Sequence, residues 1–579
     1  MSFNLEHKTP STHISGLIFN EGTRISLDEN DIILVVGPNN SGKSATLMGI
    51  HQKLNSPASV SPIIQAIELS KEGNIDDLNR WLKSFAKYLP NEAYPTNPGY
   101  SGFGISIYKG DVDAGWQQQI NALGQLTRFF CHILSTGERL QICNPAQNIA
   151  ITTDALSHPI HYLQRDDGLE LSLSAKFRKA FGLDLVVHRV AGSQVPLHVG
   201  ERPIPVGGED RLSATYIERL ERLPRLESQG DGMRSFAGIL LATSVGRESI
   251  FLIDEPEAFL HPPQARLMGR MLAQTEGIAK RQIWISTHSA DVVKGVLEEN
   301  SANVKVIRIR RNGNIGHVRH LDNSSVRELW NDPLLRHSNI LDGLFHEGVV
   351  ICESDSDCRF YSAVLGAINE NSDSDHRQPD LMFTHCGGKA RLPLVIRALR
   401  GVDVPVIAVA DFDVLADEAQ IKAIVEALGF VWQDFVGDWT IVTGAINSKS
   451  PELRTSDAKR EINALLDSVT TEIFPTKTQS ELKKIIRRTT AWSSAKTVGK
   501  SYLPSGEASK ACERLLESLR KCGLHVVEEG ELESFLRTES GHGPAWANAS
   551  LKRDLLNDSE LGNARAFVRR FQDWISGGV

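Results

Sequence analysis

An α/β fold in two domains, each carrying a helical insertion, is what this sequence predicts, and three observations carry the expectation. Short apolar runs, the length of buried parallel strands, alternate with helical stretches in both halves of the chain. A glycine-bearing loop joins one such run to a helix between residues 36 and 44. Carboxylates recur where the apolar runs end, at the sheet edge where α/β folds bind their ligands. At 579 residues the chain is also too long for one ordinary core.

The alternation in Ile14–Leu27 and the run Ile32–Val36 predict strands, the second leading through the glycine loop into a helix over Ser44–Leu54. From about 56 to 229 the rhythm loosens, with a Pro/Asn/Gly/Tyr-rich break at Tyr88–Gly104 and polar turns near Arg165–Gly168 and Val206–Asp210. This stretch is expected to be an insertion with helices of its own and a candidate dimerisation element. Regular spacing returns with a helix at Met233–Ser244, a strand at Ile250–Ile253, a helix at Pro263–Ala279 and a strand at Gln282–Ser286, completing a first domain over 1–335. A second domain, 341–579, repeats the rhythm through Val349–Cys352, Asp357–Ile368, Leu381–Thr384, Lys389–Leu399, Val404–Ala410 and Glu418–Leu428. A polar helical insertion over about 451–514 and a short strand at Leu524–Val527 follow.

Lys and Arg total 63 against 71 Asp and Glu, a net charge of −8, with 41% hydrophobic and 23% charged residues. That balance excludes disordered and fibrous chains and a wholly basic nucleic-acid coat, and leaves room for a local basic groove. Seven cysteines contain no C-x-x-C pair, so neither a zinc ribbon nor a disulfide framework is expected. No basic-then-apolar leader and no eighteen-residue uncharged apolar run is present, so a cytoplasmic protein without a membrane partner is expected.

Gly37-Pro38-Asn39-Asn40-Ser41-Gly42-Lys43-Ser44 fills G-x-x-x-x-G-K-[ST] between a predicted strand and a predicted helix. Backbone amides of Gly37, Asn39, Asn40, Ser41 and Gly42 are expected to close around the phosphates of ATP, with Lys43 on the phosphate charge and Ser44 on Mg²⁺. Ile250–Ile253 ends at Asp254 and Glu255: Asp254 is expected in the Mg²⁺ shell and Glu255 as the base that activates water. The next strand ends at His288, a candidate γ-phosphate sensor. Gln229-Gly230-Asp231-Gly232-Met233-Arg234-Ser235 precedes a helix just before that strand pair.

These residues, with Asp254-Glu255-Pro256-Glu257 and Leu260-His261-Pro262, resemble the ABC-type ATPase heads of the SMC, RecF and OLD families. The resemblance implies that Gly230 and Gly232 belong to a signature closing on the nucleotide of a second subunit, hence a homodimer or higher oligomer. Many heads carry serine where Gly230 stands, and no glutamine loop can be assigned.

In the second half, Glu353 follows one apolar strand, with Asp357 in the first helical turn after it, and Asp411 and Asp413 follow another. Parallel strands would bring these acids to one edge, where several carboxylates call for a hard cation, Mg²⁺ or Mn²⁺. The competing reading of Asp357 is a helix cap. This pattern, with the Cys386-Gly387-Gly388-Lys389 turn between the strands, resembles the TOPRIM domain of topoisomerases, primases and OLD-family nucleases. The resemblance implies Glu353, Asp411 and Asp413 as metal ligands, with Asp357 a further candidate, and Glu533, in the later acidic run Glu528–Glu533, as a second-metal ligand, for which a charged turn is the competing reading. It also implies a transition-state lysine, for which Lys552 and His542 are weak stand-ins.

An ATPase head followed by TOPRIM is the order of the OLD family, shared by the Gabija nuclease subunit and retron-associated OLD effectors. It implies an ATP-dependent DNA endonuclease in antiviral defence, with a partner protein or an RNA or DNA element. A RecF-like ATP-gated clamp with a non-cutting TOPRIM domain is the alternative; a primase or topoisomerase ranks last. Lys477, Lys483, Lys484, Arg487, Arg488, Lys496 and Lys500, with Trp492 among them, form a basic run expected either to grip a DNA backbone or to be a solvated helix face.

Overall fold

The computed structural model describes residues 9–577 apart from 93, 103–104, 118, 151–153, 246, 275–279, 300–302, 313–314, 322–338, 372–376, 450–453, 472 and 488–490. The chain divides into two compact units, Met1–Asp332 and Pro333–Val579. Most of the connection expected near 330–345 lies outside the described residues; its end, Asn339–Phe345, is a 3-10 turn.

The first unit is built on a six-stranded sheet in the order Ile315–Leu321, Val304–Asn312, Ile32–Val36, Gln282–Ser286, Ile250–Asp254, Cys131–Leu134. All neighbours are parallel except the outermost pair, Ile315–Leu321 on Val304–Asn312. Its central strands are apolar on both faces because helices and a second sheet cover them: all five residues of Ile32–Val36 are buried. The helix Lys43–Asn55 sets Leu47, Ile50 and Leu54 against Ile33, Val35 and the fully buried Trp284. A three-stranded antiparallel sheet, Arg24–Ser26, Ser11–Phe19 and Ile64–Glu72, contributes Ile14, Leu17 and Ile67 to the same core.

The stretch 56–229 is therefore not a separate insertion, since Ile64–Glu72 and Cys131–Leu134 both belong to these sheets. The second was hidden because a four-residue run interrupted by His132 carries too little apolar signal. Nor is the rest purely helical: Asp184–Val187 pairs with Leu197–Gly200, and Lys87–Leu89, Gly99–Gly102 and Ile105–Tyr108 form a further sheet. The helix expected to reach Ala279 runs over Pro262–Ala273, with Gln274 leaving helical geometry.

The second unit holds a four-stranded parallel sheet in the order Leu381–His385, Gly348–Cys352, Val406–Ala410, Leu524–Val526. Helices Asp355–Glu370 and Gly562–Ser576 enclose an aromatic core in which Phe360, Tyr361, Phe535, Trp546, Phe567 and Phe571 pack together. The stretch 451–514 contributes helices Thr455–Asp467, Thr476–Arg487 and Ala491–Val498 and the start of Glu507–Lys521. All seven cysteines are buried and unpaired. No helix among the described residues is long and apolar enough to cross a membrane.

Candidate functional site

In the first unit the sheet register sets Val35, Ser286 and Asp254 side by side across three strands. Ser44 lies in the first turn of the helix Lys43–Asn55, and its Oγ donates to Asp254 Oδ1 at 2.9 Å; Ser286 Oγ donates to the same oxygen. The hydroxyl and carboxylate expected to share a magnesium ion are thus already neighbours. Gly42 has φ +104°, and a Cβ there would lie 2.1 Å from Ile63 Cδ1. Only glycine fits this turn.

Lys43 is buried, and its Nζ donates to the carbonyls of Gly37 at 3.0 Å and Pro38 at 2.9 Å. Burial lowers its pKa, opposed by Glu255, Glu257 and Asp254. Asn39 and Asn40 are exposed, and Asn40 stands at φ +62°. Ser41 is buried with its hydroxyl unpartnered among the described residues.

Glu255 also takes a left-handed backbone, φ +48°, and its amide donates to Ser286 O at 2.9 Å. His288 faces two acids, with Nδ1 at 3.5 Å from Glu255 and 3.3 Å from Glu257, and its amide donates to Glu257 Oε1 at 2.8 Å. Burial raises the pKa of Glu257. Gly230 directly precedes the helix Asp231–Val245, and Gly232 lies in its first turn, where a Cβ would stand 2.8 Å from Phe259 O.

Sequence reasoning missed Arg139, on the helix Thr136–Gln141, whose fully buried guanidinium donates to the carbonyls of Asp254 and, at 3.1 Å, Glu255. It also donates to Ser235 Oγ and Thr136 Oγ1, both at 3.2 Å. It therefore fixes the carboxylate turn to the helix that begins after Gly230. An arginine in a short polar helix carries no sequence signal for such a post.

In the second unit the adjacent strands Gly348–Cys352 and Val406–Ala410 end together, so Glu353 and Asp411 meet: the Asp411 amide donates to Glu353 Oε1 at 3.2 Å. Asp413 follows in the 3-10 turn Phe412–Ala416, with Oδ1 buried and unpartnered among the described residues. Burial, then the charge of Asp411, pushes the Glu353 pKa up to about 7; burial pushes Asp357 up to about 6 and raises Asp411. Crowded acids of this kind are what a divalent cation would relieve. Asp357 does close a capping box with Ser354, accepting from its amide at 2.8 Å.

Glu533 sits with Glu531 and His542. Among the described residues this is the group of three metal-type ligands whose ligand atoms all lie within 4.8 Å of one another. The Gly543 amide also donates to Glu533 at 2.8 Å. Sequence reasoning passed over Glu531, which lies 3.9 Å from Lys496 Nζ.

Two members of the basic run leave it. Lys496 Nζ lies 3.0 Å from Asp411 and 3.6 Å from Asp413, and Lys500 Nζ 2.5 Å from Glu528. Both therefore face carboxylates rather than forming an open phosphate-binding face. Lys477, Lys483 and Lys484 are exposed on Thr476–Arg487; Arg488 lies outside the described residues, and the Trp492 indole donates to Asn447 at 2.8 Å. Lys552 is exposed, and His542 is 81% exposed beside Glu533.

Lys496 is held there by the main chain. Gly499, at φ +60°, and Gly530, at φ +124°, cross so closely that a Cβ on the first would lie 2.0 Å from Glu528 O and on the second 2.2 Å from Lys496 O. Amide donations from Lys500 to Glu528 O at 2.9 Å and from Phe412 to Gly530 O at 2.7 Å complete the junction.

The model of the AAA domain family that bears the AbiEii toxin and Type IV TA system label matches residues 211–294. The uncharacterised protein MJECL11 of Methanocaldococcus jannaschii is 32% identical over 87 residues, which make up 76% of that protein and 14% of this chain. The chain belongs to the family of that archaeal protein. An Smc head bound to the C-terminal winged-helix domain of ScpA is 14% identical, covering 55% of this chain and 99% of its own, with a TM-score of 0.33. A nucleotide-free ATP-binding cassette from an ABC transporter is 12% identical, covering 57% and 97%, with a TM-score of 0.25. The matched AAA segment contains Gly230, Gly232, Asp254, Glu255 and His288, while Gly37–Ser44 and Arg139 join it through the sheet. Residues 211–294 thus match an ATPase domain of the AAA kind.

Proposed function

We propose that the chain is an ATP-binding and ATP-hydrolysing, divalent-metal-dependent DNA endonuclease of OLD type, with its second unit a TOPRIM nuclease domain, acting in antiviral defence. The observation that carries the nuclease half is the meeting of Glu353 and Asp411 at one edge of a parallel sheet, with Asp413 Oδ1 buried and, among the described residues, unpartnered. The donor set is all oxygen, which suits Mg²⁺ or Mn²⁺. Glu353, Asp411 and Asp413 would hold the ion, with Glu533 and Glu531 toward a second one. Bound there, the metal would activate water and neutralise charge on a scissile phosphate. The exposed lysines of Thr476–Arg487 would hold the DNA backbone.

In the first unit Lys43 would hold the ATP phosphates and Ser44 with Asp254 the Mg²⁺. Glu255 would accept the proton of the attacking water, and His288, seated between two acids, would read the γ-phosphate. The segment Gly230–Ser235 would meet the nucleotide of a second copy, making the head a homodimer. One observation favours a RecF-like clamp that does not cut: the Lys496 ammonium already lies against Asp411 and Asp413. Incubating supercoiled plasmid with the protein and Mg²⁺ or Mn²⁺, with and without ATP, tests the proposal. Nicking that requires metal supports it, and intact plasmid under every condition favours the clamp.

A further inference from the structure

Lys496 combines a position at the centre of an acidic cluster with a rigid attachment, and that combination has a chemical meaning. Its ammonium lies 3.0 Å from Asp411 Oδ2, 3.6 Å from Asp413 Oδ2 and 3.9 Å from Glu531 Oε2. Those oxygens come from two segments far apart in sequence, so the lysine sits where three acids converge rather than beside one of them. A second ammonium, Lys389 Nζ, reaches Asp413 Oδ2 at 3.0 Å. Asp411 stands within electrostatic reach of five other carboxylates at this edge, those of Glu353, Asp357, Asp413, Glu531 and Glu533.

A long exposed lysine would ordinarily lose rotamer freedom for little return in such a pair. Here the backbone has already restricted it. The glycine crossing at Gly499 and Gly530 clamps the end of the helix Ala491–Val498 to the turn after Leu524–Val526, and Ser534 Oγ donates to Thr497 O at 2.9 Å. The ammonium is thereby delivered to the acids by the fold.

We propose that Lys496 is a tethered counter-ion that occupies the cation position of the Asp411/Asp413/Glu531 cluster, and that a divalent ion enters only by displacing it. This inference rests on the metal-binding reading of the second unit. A unit positive charge would leave and a doubly charged ion would take its oxygens, so the lysine weakens metal affinity while keeping the metal-free acids from repelling one another. Displacement also turns the ammonium outward with its charge unpaired, available to a phosphate.

The probe is Mn²⁺ alone, titrated into nucleotide-free full-length protein and followed by electron paramagnetic resonance of the free ion. Lys496→Met is expected to bind Mn²⁺ at least about tenfold more tightly than wild type. Lys496→Arg should bind as weakly as wild type, and Asp411→Asn should lose the site. Equal or weaker binding by a folded Lys496→Met overturns the proposal while leaving the metal site standing. Absence of any Asp411-dependent Mn²⁺ binding in all four proteins overturns the metal reading itself. Should Lys496→Met fail to fold, reductive methylation of the wild type decides. Labelling of Lys496, read by mass spectrometry against Lys483, should rise several-fold with Mn²⁺, and labelling indifferent to Mn²⁺ overturns the proposal.

Discussion

Asp254 accepts a hydrogen bond from Ser44 across 210 residues of sequence, at 2.9 Å. The sheet and the loop thus place side by side the two groups expected to share a magnesium ion.

Lys43→Ala is expected to weaken ATP binding by about 10- to 100-fold, the worth of charge-assisted hydrogen bonds to phosphate. It also removes the ammonium that bridges Gly37 O and Pro38 O. Titration with a fluorescent nucleotide measures it, and an unchanged Kd contradicts the assignment.

Glu255→Gln should leave ATP binding near wild type and reduce hydrolysis by about 10²- to 10⁴-fold, the usual contribution of a positioned base. Phosphate release under saturating ATP is the readout. Undiminished turnover would pass the role of base to Glu257, the other acid against His288.

Glu353→Ala or Asp411→Ala should abolish metal-dependent plasmid nicking while ATP hydrolysis stays within about twofold of wild type, since the acids belong to a different sheet from the ATPase residues. Wild-type nicking by purified Asp411→Ala protein would refute the nuclease site.

ATP is expected to change the cleavage rate, through differential binding to two states of the head. Charge reversal at Lys483 and Lys484 should weaken DNA binding and flatten its salt dependence. Superimposable cleavage curves for wild type and Lys43→Ala across an ATP titration would show that no such link exists.

His525 supplies a pH prediction. It is 2% exposed, stacks edge-on against Phe567 and Phe571, and keeps both ring nitrogens unpartnered among the described residues. Burial, then the charges of Arg520 and Arg570, pushes its pKa down to about 3. Between pH 6.5 and 3 the unfolded chain therefore binds a proton that the folded chain refuses, so stability present above pH 6.5 is lost as the pH falls, by about 2 kcal/mol at pH 5. In urea melts at pH 7.5 and pH 5, His525→Phe should lose less stability on acidification than wild type. Identical losses would refute it.

The placement of Ser44 beside Asp254 was legible because Gly37–Ser44 is contiguous and Ile250–Glu255 announces a buried strand that ends in acids. Glu353 and Asp411 were legible for the same reason. Arg139 was not, because a buried guanidinium bound to main-chain carbonyls leaves no pattern in the residues around it. Lys496 was misread because along the chain it belongs to a run of cations, and only the return of the chain through Gly530 brings Asp411 to it. Cys131–Leu134 was missed because strand length and His132 masked its apolar character.

The crossing of Gly499 with Gly530 separates positions that accept substitution from positions that do not. The junction is made by main chain, so any side chain at either glycine is excluded by backbone atoms that cannot step aside. The helices Thr455–Asp467 and Thr476–Arg487 on the far side of it expose most of their residues and bury little. Substitutions on their exposed faces should therefore leave the spacing of Lys496 to its acids unaltered, whereas a side chain at Gly499 or Gly530 should change it.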